Sequence, residues 1–330
     1  MTPAMPDLRL GVCGLGLIGS SLVRAIGPQR CVVLDPSSAA SAAMGELGAT
    51  VVDSVSVSAM AECDVIALAA PTAVNSSLLH QLMATGPRVP TFDLGSVKEP
   101  ILSVWHGDES FPFVGTHPMA GSERSGVAAG STDLFRGSAW AVVVEPATDP
   151  DALALVVDVV LATGAHVVPV SAASHDETVA VVSHLAHLVS GALGSAAAAA
   201  PHPELALRLA AGSFRDGTRV AGSPPGRTAE FLVANPKHVA EVTRQTADAL
   251  RAVADAVAAQ DEAGVAAFLT PAHEVRTAYT AGRGSADRAL TVPDAASLAQ
   301  LLLTLVDTGS SLVARTATEV SVISPDEEPG

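Results

Sequence analysis

The run Gly14-Leu15-Gly16-Leu17-Ile18-Gly19 lies between an apolar stretch, Leu8 to Cys13, and a helical pattern from about Leu17 to Ile26. Three glycines at this spacing, entered from a strand and left by a helix, restrict the fold more than any other feature of the chain. Gly14 permits a tight strand-to-helix turn, Gly16 lets a ligand approach the backbone, and Gly19 lets the helix lie close on the sheet. The free N–H groups at the helix start then form a site for a pyrophosphate. Asp35 ends the next apolar run, Cys31–Leu34, 21 residues after Gly14. Its carboxylate suits the two hydroxyls of a ribose and repels a 2′-phosphate, and no Arg follows it in Pro36-Ser37-Ser38. NAD is therefore expected rather than NADP.

Strand and helix patterns alternate beyond this point. Asp64 to Ala69 reads as a buried strand, and Pro71 and Thr72 open the helix after it, with Pro71 beside the cofactor. Val89–Leu94, Phe113–Gly115, Ala139–Val144 and His166–Val170 continue the strands. This order predicts a mostly parallel, doubly wound α/β sheet of the Rossmann type over residues 1–170. After Ser171 the strand signals stop. Long Ala-rich helical stretches, about Ala173–Ala199, Pro203–Gly212, Arg227–Ala234, Pro236–Ala258 and Asp261–Tyr279, predict an all-α second domain over residues 171–282. Its small residues allow close helix approach and favour an intertwined homodimer. Residues 283–330 read as a linker and a short C-terminal extension: a strand at Ala289–Val292, a helix at Ala295–Val306, and an acidic, frayed tail from Ser324.

The formal charge is −16, from 34 acidic and 18 basic residues. Such a chain repels nucleic acid and anionic membranes, and it makes each Arg or Lys near a site informative if the substrate is an anion. The three cysteines (Cys13, Cys31, Cys63) lie in or beside predicted strands without CxxC spacing, as small buried thiols do. No signal peptide is recognisable at the N-terminus. The weakly polar run Leu185 to Ala200 is interrupted by His187, Ser190 and Ser195 and is short for a bilayer. A cytoplasmic protein is expected, with no membrane or nucleic-acid partner.

Four further segments carry a resemblance: Asp93-Leu94-Gly95-Ser96-Val97-Lys98, Gly115-Thr116-His117-Pro118-Met119-Ala120-Gly121-Ser122-Glu123, Ser183-His184-Leu185-Ala186-His187 and Ala211-Gly212-Ser213-Phe214-Arg215-Asp216-Gly217-Thr218-Arg219. Their order, behind the glycine loop, resembles the prephenate/arogenate dehydrogenase family over roughly residues 8 to 260. The resemblance implies a cleft between a Rossmann domain and a helical dimerisation domain, and NAD-dependent oxidative decarboxylation of a small anionic cyclohexadiene. It implies His117 as the base at the C4 hydroxyl, with Ser96 bonded to that hydroxyl or steadying His117. Arg219 becomes a carboxylate clamp, with His187, Ser183 and Gly212 around the substrate, Gly212 coming from the same subunit or from its partner. Glu123 resembles a shielding acid at the cleft. Lys98 either faces cofactor or substrate or is a solvated cation at a helix start.

Other readings stay open. The substrate is prephenate, arogenate or a 4-amino analogue, and a non-catalytic nucleotide sensor would need the glycine loop but not His117 with Arg219. A β-hydroxyacid dehydrogenase would need a Lys on the long inter-domain helix, and Ala173–Ala199 has none. His184 and His187 share a helix face as metal ligands do, but no third ligand stands at a suitable spacing, so no metal is expected; His184 is the more structural of the two. His175-Asp176-Glu177 reads as a capped, acidic helix start. The family's aromatic after the substrate arginine is replaced by Thr228. Ala186 stands where Pro is common, which predicts a straighter helix. About 40 residues after Ala289 are too few for a complete ACT domain.

Overall fold

The computed structural model describes residues 8–52, 60, 62–85, 88–106, 108–281 and 288–325. The N-terminal half opens with β1 (Leu10–Cys13), α1 (Leu17–Ile26), β2 (Cys31–Leu34), α2 (Ser38–Gly45) and β3 (Thr50–Val51). It continues with β4 (Val65–Leu68), α3 (Thr72–Thr85), β5 (Thr91–Asp93), α4 (Glu99–Trp105) and β6 (Phe113–Val114). These strands form a six-stranded sheet in the order β3-β2-β1-β4-β5-β6, parallel throughout. β1 and β4 are buried along their whole length, as strands covered on both faces must be. Both load one core with Leu10, Val12, Val65 and Ala67. The opposite face meets Leu79, Leu82, Ile101 and Trp105. Burial pushes the thiols of Cys13 and Cys31 up to about 12 and that of Cys63 to about 11, so all three stay protonated packing groups.

Beyond Gly115 the topology departs from a single doubly wound sheet. β7 (Thr116–Pro118), β8 (Ala139–Val143) and β9 (His166–Val170) form part of a second six-stranded sheet. In it β7 runs antiparallel to β8, and β8 runs parallel to β9. The other three strands come from the end of the chain: β10 (Arg288–Thr291), β11 (Ser311–Arg315) and β12 (Glu319–Ile323). β11 joins β9 antiparallel through Leu312 and Val167. Between β8 and β9 lies α5 (Pro150–Ala162), capped by the Asp149 side chain accepting from Ala152 N. Its apolar surface is covered by the C-terminal helix Ala295–Leu305 through Leu298, Leu302 and Leu305, and Arg315 pairs with Asp158 at 2.7 Å. The segment from residue 288 is thus an integral part of the second sheet rather than a free extension. The expected linker at 283–287 and the end of the acidic tail (326–330) lie outside the described residues.

The helical region begins with α6 (Ala172–Val179), capped by Ser171, whose side chain accepts from Ser174 N. A π-helical turn, Ala180–Leu185, leads into α7 (Ala186–Ala198). The 27 residues Ala172–Ala198 are continuous, and by length and composition alone they are long and apolar enough to cross a membrane. The helix is not the uniform one expected from the loss of Pro at 186. The wide turn inserts an extra residue per repeat, a feature frequent at functional sites. Further helices follow at Pro203–Leu209 (α8), Gly212–Thr218 (α9), Pro225–Ala234 (α10), Pro236–Ala258 (α11) and Glu262–Ala281 (α12).

Lys98 departs from both expectations for it. It is fully buried, neither solvated nor facing the cleft. Its ammonium pairs with the Asp93 carboxylate at the end of β5 and donates to Thr116 O at 2.6 Å. Asp93 also accepts from Gly95 N at 2.8 Å and Thr116 N at 3.1 Å, so one buried ion pair staples the end of β5 to β7. Desolvation lowers the Lys98 pKa, and Asp93 opposes that shift. Removing one partner of such a pair leaves a bare charge in the core. Lys98→Met is expected to lower unfolding stability by about 3–5 kcal/mol in urea titration. Adding Asp93→Asn should recover part of that loss; a Lys98→Met change under about 1 kcal/mol would refute the staple.

Candidate active site

A cavity of about 550 Å³ lies between the glycine loop and the helical region. Gly16, Leu17 and Ile18 line it, as do Pro71, Ser96, His117 and Glu123. The helical side contributes Ser183, His187, Arg219, Arg227, Glu230 and Phe231. Gly14, Leu15, Gly19 and Asp35 support the loop without lining this cavity. Gly14 has φ +104°, and a Cβ there would lie 2.7 Å from the Ala69 backbone. At Gly19 it would lie 1.9 Å from Gly14 O, whereas at Gly16 it would meet nothing within 4 Å. The open space is therefore where a ligand must come close. The start of α1 has no side-chain cap and no acidic residue in its first turn, so its N–H groups remain for an anion.

The Asp35 carboxylate accepts from Leu15 N at 2.6 Å and Ser37 N at 2.8 Å. Each oxygen keeps a lone pair for a ribose hydroxyl. At the second helix start in the cavity, Thr72 N already donates to Glu230 Oε1 at 2.7 Å, a carboxylate brought by α10.

His117 sits in β7, in register with Ala141 of β8. Its Nδ1 lies 3.0 Å from His175 Nε2, with the rings edge to face. His175 Nδ1 lies 2.7 Å from Asp176 Oδ1. Asp176 also accepts from Lys98 N and Glu99 N, both at 2.8 Å, and its carbonyl accepts from Asn235 Nδ2 at 2.7 Å. Burial acts first on His117, and His175, Lys98 and His184 add to it, holding the imidazole well below the usual histidine range. Burial likewise lowers His175, against the pull of Asp176. Burial opposes ionisation of Asp176, but hydrogen bonds from His175, Glu99 and Lys98 hold its carboxyl below the usual range. The site thus holds a neutral imidazole over a fixed carboxylate.

Phe231 lies between the two other histidines. His184 stacks on it at 5.0 Å between centroids and His187 meets it edge-on at 5.1 Å. Burial pushes His184 down to about 4. His187 is lowered by burial and by Arg227 and Arg219. Its Nδ1 is buried without a hydrogen-bond partner among the described residues. Arg219 and Arg227 have no carboxylate partner among the described residues, and Arg227 donates only to Arg124 O at 3.5 Å.

Most of the residues expected at the site share this cavity: His117, Ser96, Glu123, Ser183, His187 and Arg219. Lys98 does not, being spent on Asp93. Gly212 does not either: it is exposed at the start of its short helix and outside the cavity lining. Sequence reasoning missed Arg227, Phe231 and the pair His175 and Asp176. The pair does begin a capped helix, but its side chains turn inward. Phe231 supplies an aromatic one turn after Thr228, the position where one was expected.

Comparisons with known proteins agree with this architecture. Residues 19–169 match the nucleotide-binding domain of prephenate dehydrogenase, and residues 171–270 match its dimerization domain. A prephenate dehydrogenase of Bacillus subtilis is 33% identical over 241 residues, covering 68% of this chain and 63% of that protein, so the match spans less than two thirds of its length. A cyclohexadienyl dehydrogenase of Zymomonas mobilis is 30% identical over 262 residues, covering 76% of this chain and 89% of that one. The solved structure of a candidate prephenate dehydrogenase from Corynebacterium glutamicum superposes with a TM-score of 0.77 at 27% identity, covering 91% and 98% of the two chains. Two family domains in sequence, meeting at a cleft with a buried histidine, lead to one assignment: the chain belongs to the prephenate dehydrogenase family.

Proposed function

We propose that the protein is an NAD-dependent dehydrogenase that oxidatively decarboxylates prephenate to 4-hydroxyphenylpyruvate, acting as a cytoplasmic homodimer. The observation that carries this reading is the meeting, in one cavity, of a neutral buried imidazole (His117) with two guanidinium groups, Arg219 and Arg227, that lack carboxylate partners. Prephenate carries two carboxylates and one hydroxyl, and each finds a group of matching chemistry.

NAD, when bound, supplies a hydride acceptor against the glycine loop, with Gly16 and the α1 N-terminus taking the pyrophosphate and Asp35 the ribose. The chain's own part is to hold substrate and proton. Arg219 and Arg227 grip the carboxylates, where a planar fork binds more specifically than a point charge. His187 and Ser183 complete the polar wall. His117 accepts the C4 hydroxyl proton as hydride leaves C4, with Ser96 steadying the hydroxyl. The ring C–CO₂ bond then breaks, its electron pair aromatises the ring, and the phenolic oxygen takes the proton back from His117. Carbon dioxide leaves, and no net proton is released.

Glu123 favours a second reading. Its carboxylate lines the cavity and suits the ammonium of arogenate. For the dimer, Leu207, Leu209, Val233, Val257 and Val275 stand largely exposed on the helical region and are available to a second chain.

NADH formation with prephenate and with arogenate, each offered with NAD and then NADP, tests the reaction. Turnover of prephenate with NAD is expected, a higher rate with arogenate would select the second reading, and no turnover of either would refute both. His117→Asn should cut kcat by about 100-fold or more while leaving NAD affinity within about twofold. Arg219→Ala and Arg227→Ala should each raise KM for the substrate by about 10-fold or more, an unchanged KM removing that residue from the clamp. Sedimentation should give a two-chain species that Leu209→Glu with Val233→Glu splits.

A further inference from the structure

We propose that His175, anchored by Asp176, is a positioning residue that fixes the tautomer of His117 and presents the Nε2 lone pair to the cavity. The catalytic consequence rests on the proposed role of His117 as proton acceptor; the geometry does not.

Asp176 is ionised and can only accept, and three N–H groups converge on it: His175 Nδ1 at 2.7 Å, Lys98 N and Glu99 N at 2.8 Å. The proton between Asp176 and His175 therefore sits on His175 Nδ1. His175 is buried, and the buried Lys98 ammonium nearby disfavours a second positive charge, so its ring is neutral. In a neutral ring with Nδ1 protonated, Nε2 is an acceptor. The 3.0 Å contact from His175 Nε2 to His117 Nδ1 is then made by a proton on His117 Nδ1. His117 is also neutral, so its remaining lone pair is on Nε2. That atom has no hydrogen bond to the protein among the described residues, and His117 lines the cavity. One carboxylate thus sets two tautomers in series, and the second is the one a proton acceptor at the cavity requires.

The charged and titratable groups around the pair agree with this order. Asp93 faces it from the end of β5, Lys98 from the start of α4, His184 from the π-helical turn, and Asp176 from α6. Asp93 is occupied by Lys98, which leaves Asp176 as the carboxylate that orients an imidazole. His184, pushed down to about 4, brings no charge near neutral pH. The acid limb of kcat/KM is therefore expected below the usual histidine range, with the base neutral and active above it.

Nitrogen-15 NMR of histidine-labelled protein without substrate reads the tautomer directly, with the His117 signals assigned by their loss in His117→Asn. A pyridine-type Nε2 and a pyrrole-type Nδ1 are expected, and the reverse would overturn the proposal. Kinetics give a second reading. His175→Leu removes the acceptor for Nδ1–H and should lower kcat by about 100-fold, with KM for substrate and NAD changed by less than about threefold. The loss should persist on the high-pH plateau, where a simple pKa change would be repaired. His175→Gln, whose amide oxygen can accept the same proton, should recover about 10-fold of that loss. A kcat for His175→Leu within about threefold of the parent would refute the positioning role. If His175→Leu fails to fold, the tautomer measured on the parent protein decides alone. The expected tautomer with no turnover of either prephenate or arogenate would remove the proposed function and leave the tautomer chain standing.

Discussion

The Asp176 carboxylate joins segments that are far apart in the chain. Its oxygens accept from the backbone of Lys98 and Glu99 in the Rossmann region, its carbonyl accepts from Asn235 at the head of α11, and its neighbour His175 reaches His117 in β7. A buried carboxylate is tolerated only where it is fully hydrogen-bonded. Meeting that requirement brings the α4 start, α6 and β7 to one point. The same bonds that satisfy the charge also define where the cavity histidine stands. Folding and site geometry are here one constraint, because displacing α6 from the sheet would strip Asp176 of its partners and His117 of its support together.

A second buried charge system lies beside the first, and the two divide the work. Asp93 neutralises Lys98 and fastens β5 to β7, which fixes the backbone carrying His117. Asp176 then fixes the ring. Burial holds His117 and His175 neutral, and the Lys98 charge adds to it while that charge is itself balanced by Asp93. A substitution at either carboxylate would therefore act on both rigidity and electrostatics.

Elements with a strong local pattern were legible in the sequence. The glycine loop, the buried strands β1, β2, β4 and β5, and the start of the long helix follow from apolar runs, Gly punctuation and a Ser cap. The second sheet was not legible as such. β7 has three residues, His117 among them, and its antiparallel pairing with β8 is decided by contacts across the sheet rather than by its own composition. β11 is a short apolar run and β12 alternates polar and apolar residues over Glu319–Val322, but nothing local says that Leu312 will pair with Val167, 145 positions earlier. At the site, His117 and Arg219 were found because their surroundings carry a family pattern. His175 and Asp176 were misjudged because an acidic pair at a capped helix start is usually a solvated one, and only tertiary packing turns it inward. Lys98 was misjudged for the same reason. Arg227 carried a signal in composition alone, as one of 18 basic residues in a strongly acidic chain.

The neutral state of His117 has to survive the arrival of the substrate. For the proposed dicarboxylate, each unpaired carboxylate about 6 Å from the imidazole would favour its protonation by about 3 kcal/mol at an effective dielectric constant of about 20. That would raise a histidine pKa by about two. Burial and Lys98 push the other way, but they act on the empty site and do not grow when an anion enters. Arg219 and Arg227 do what those fixed groups cannot. They would meet the charge of such a substrate as it arrives, so that the pair of carboxylates would reach His117 largely neutralised. Under the proposed function, two guanidinium groups in this cavity would therefore serve affinity and proton chemistry at once. A cavity with the same histidine but one arginine would bind a dianion at the cost of protonating its own base.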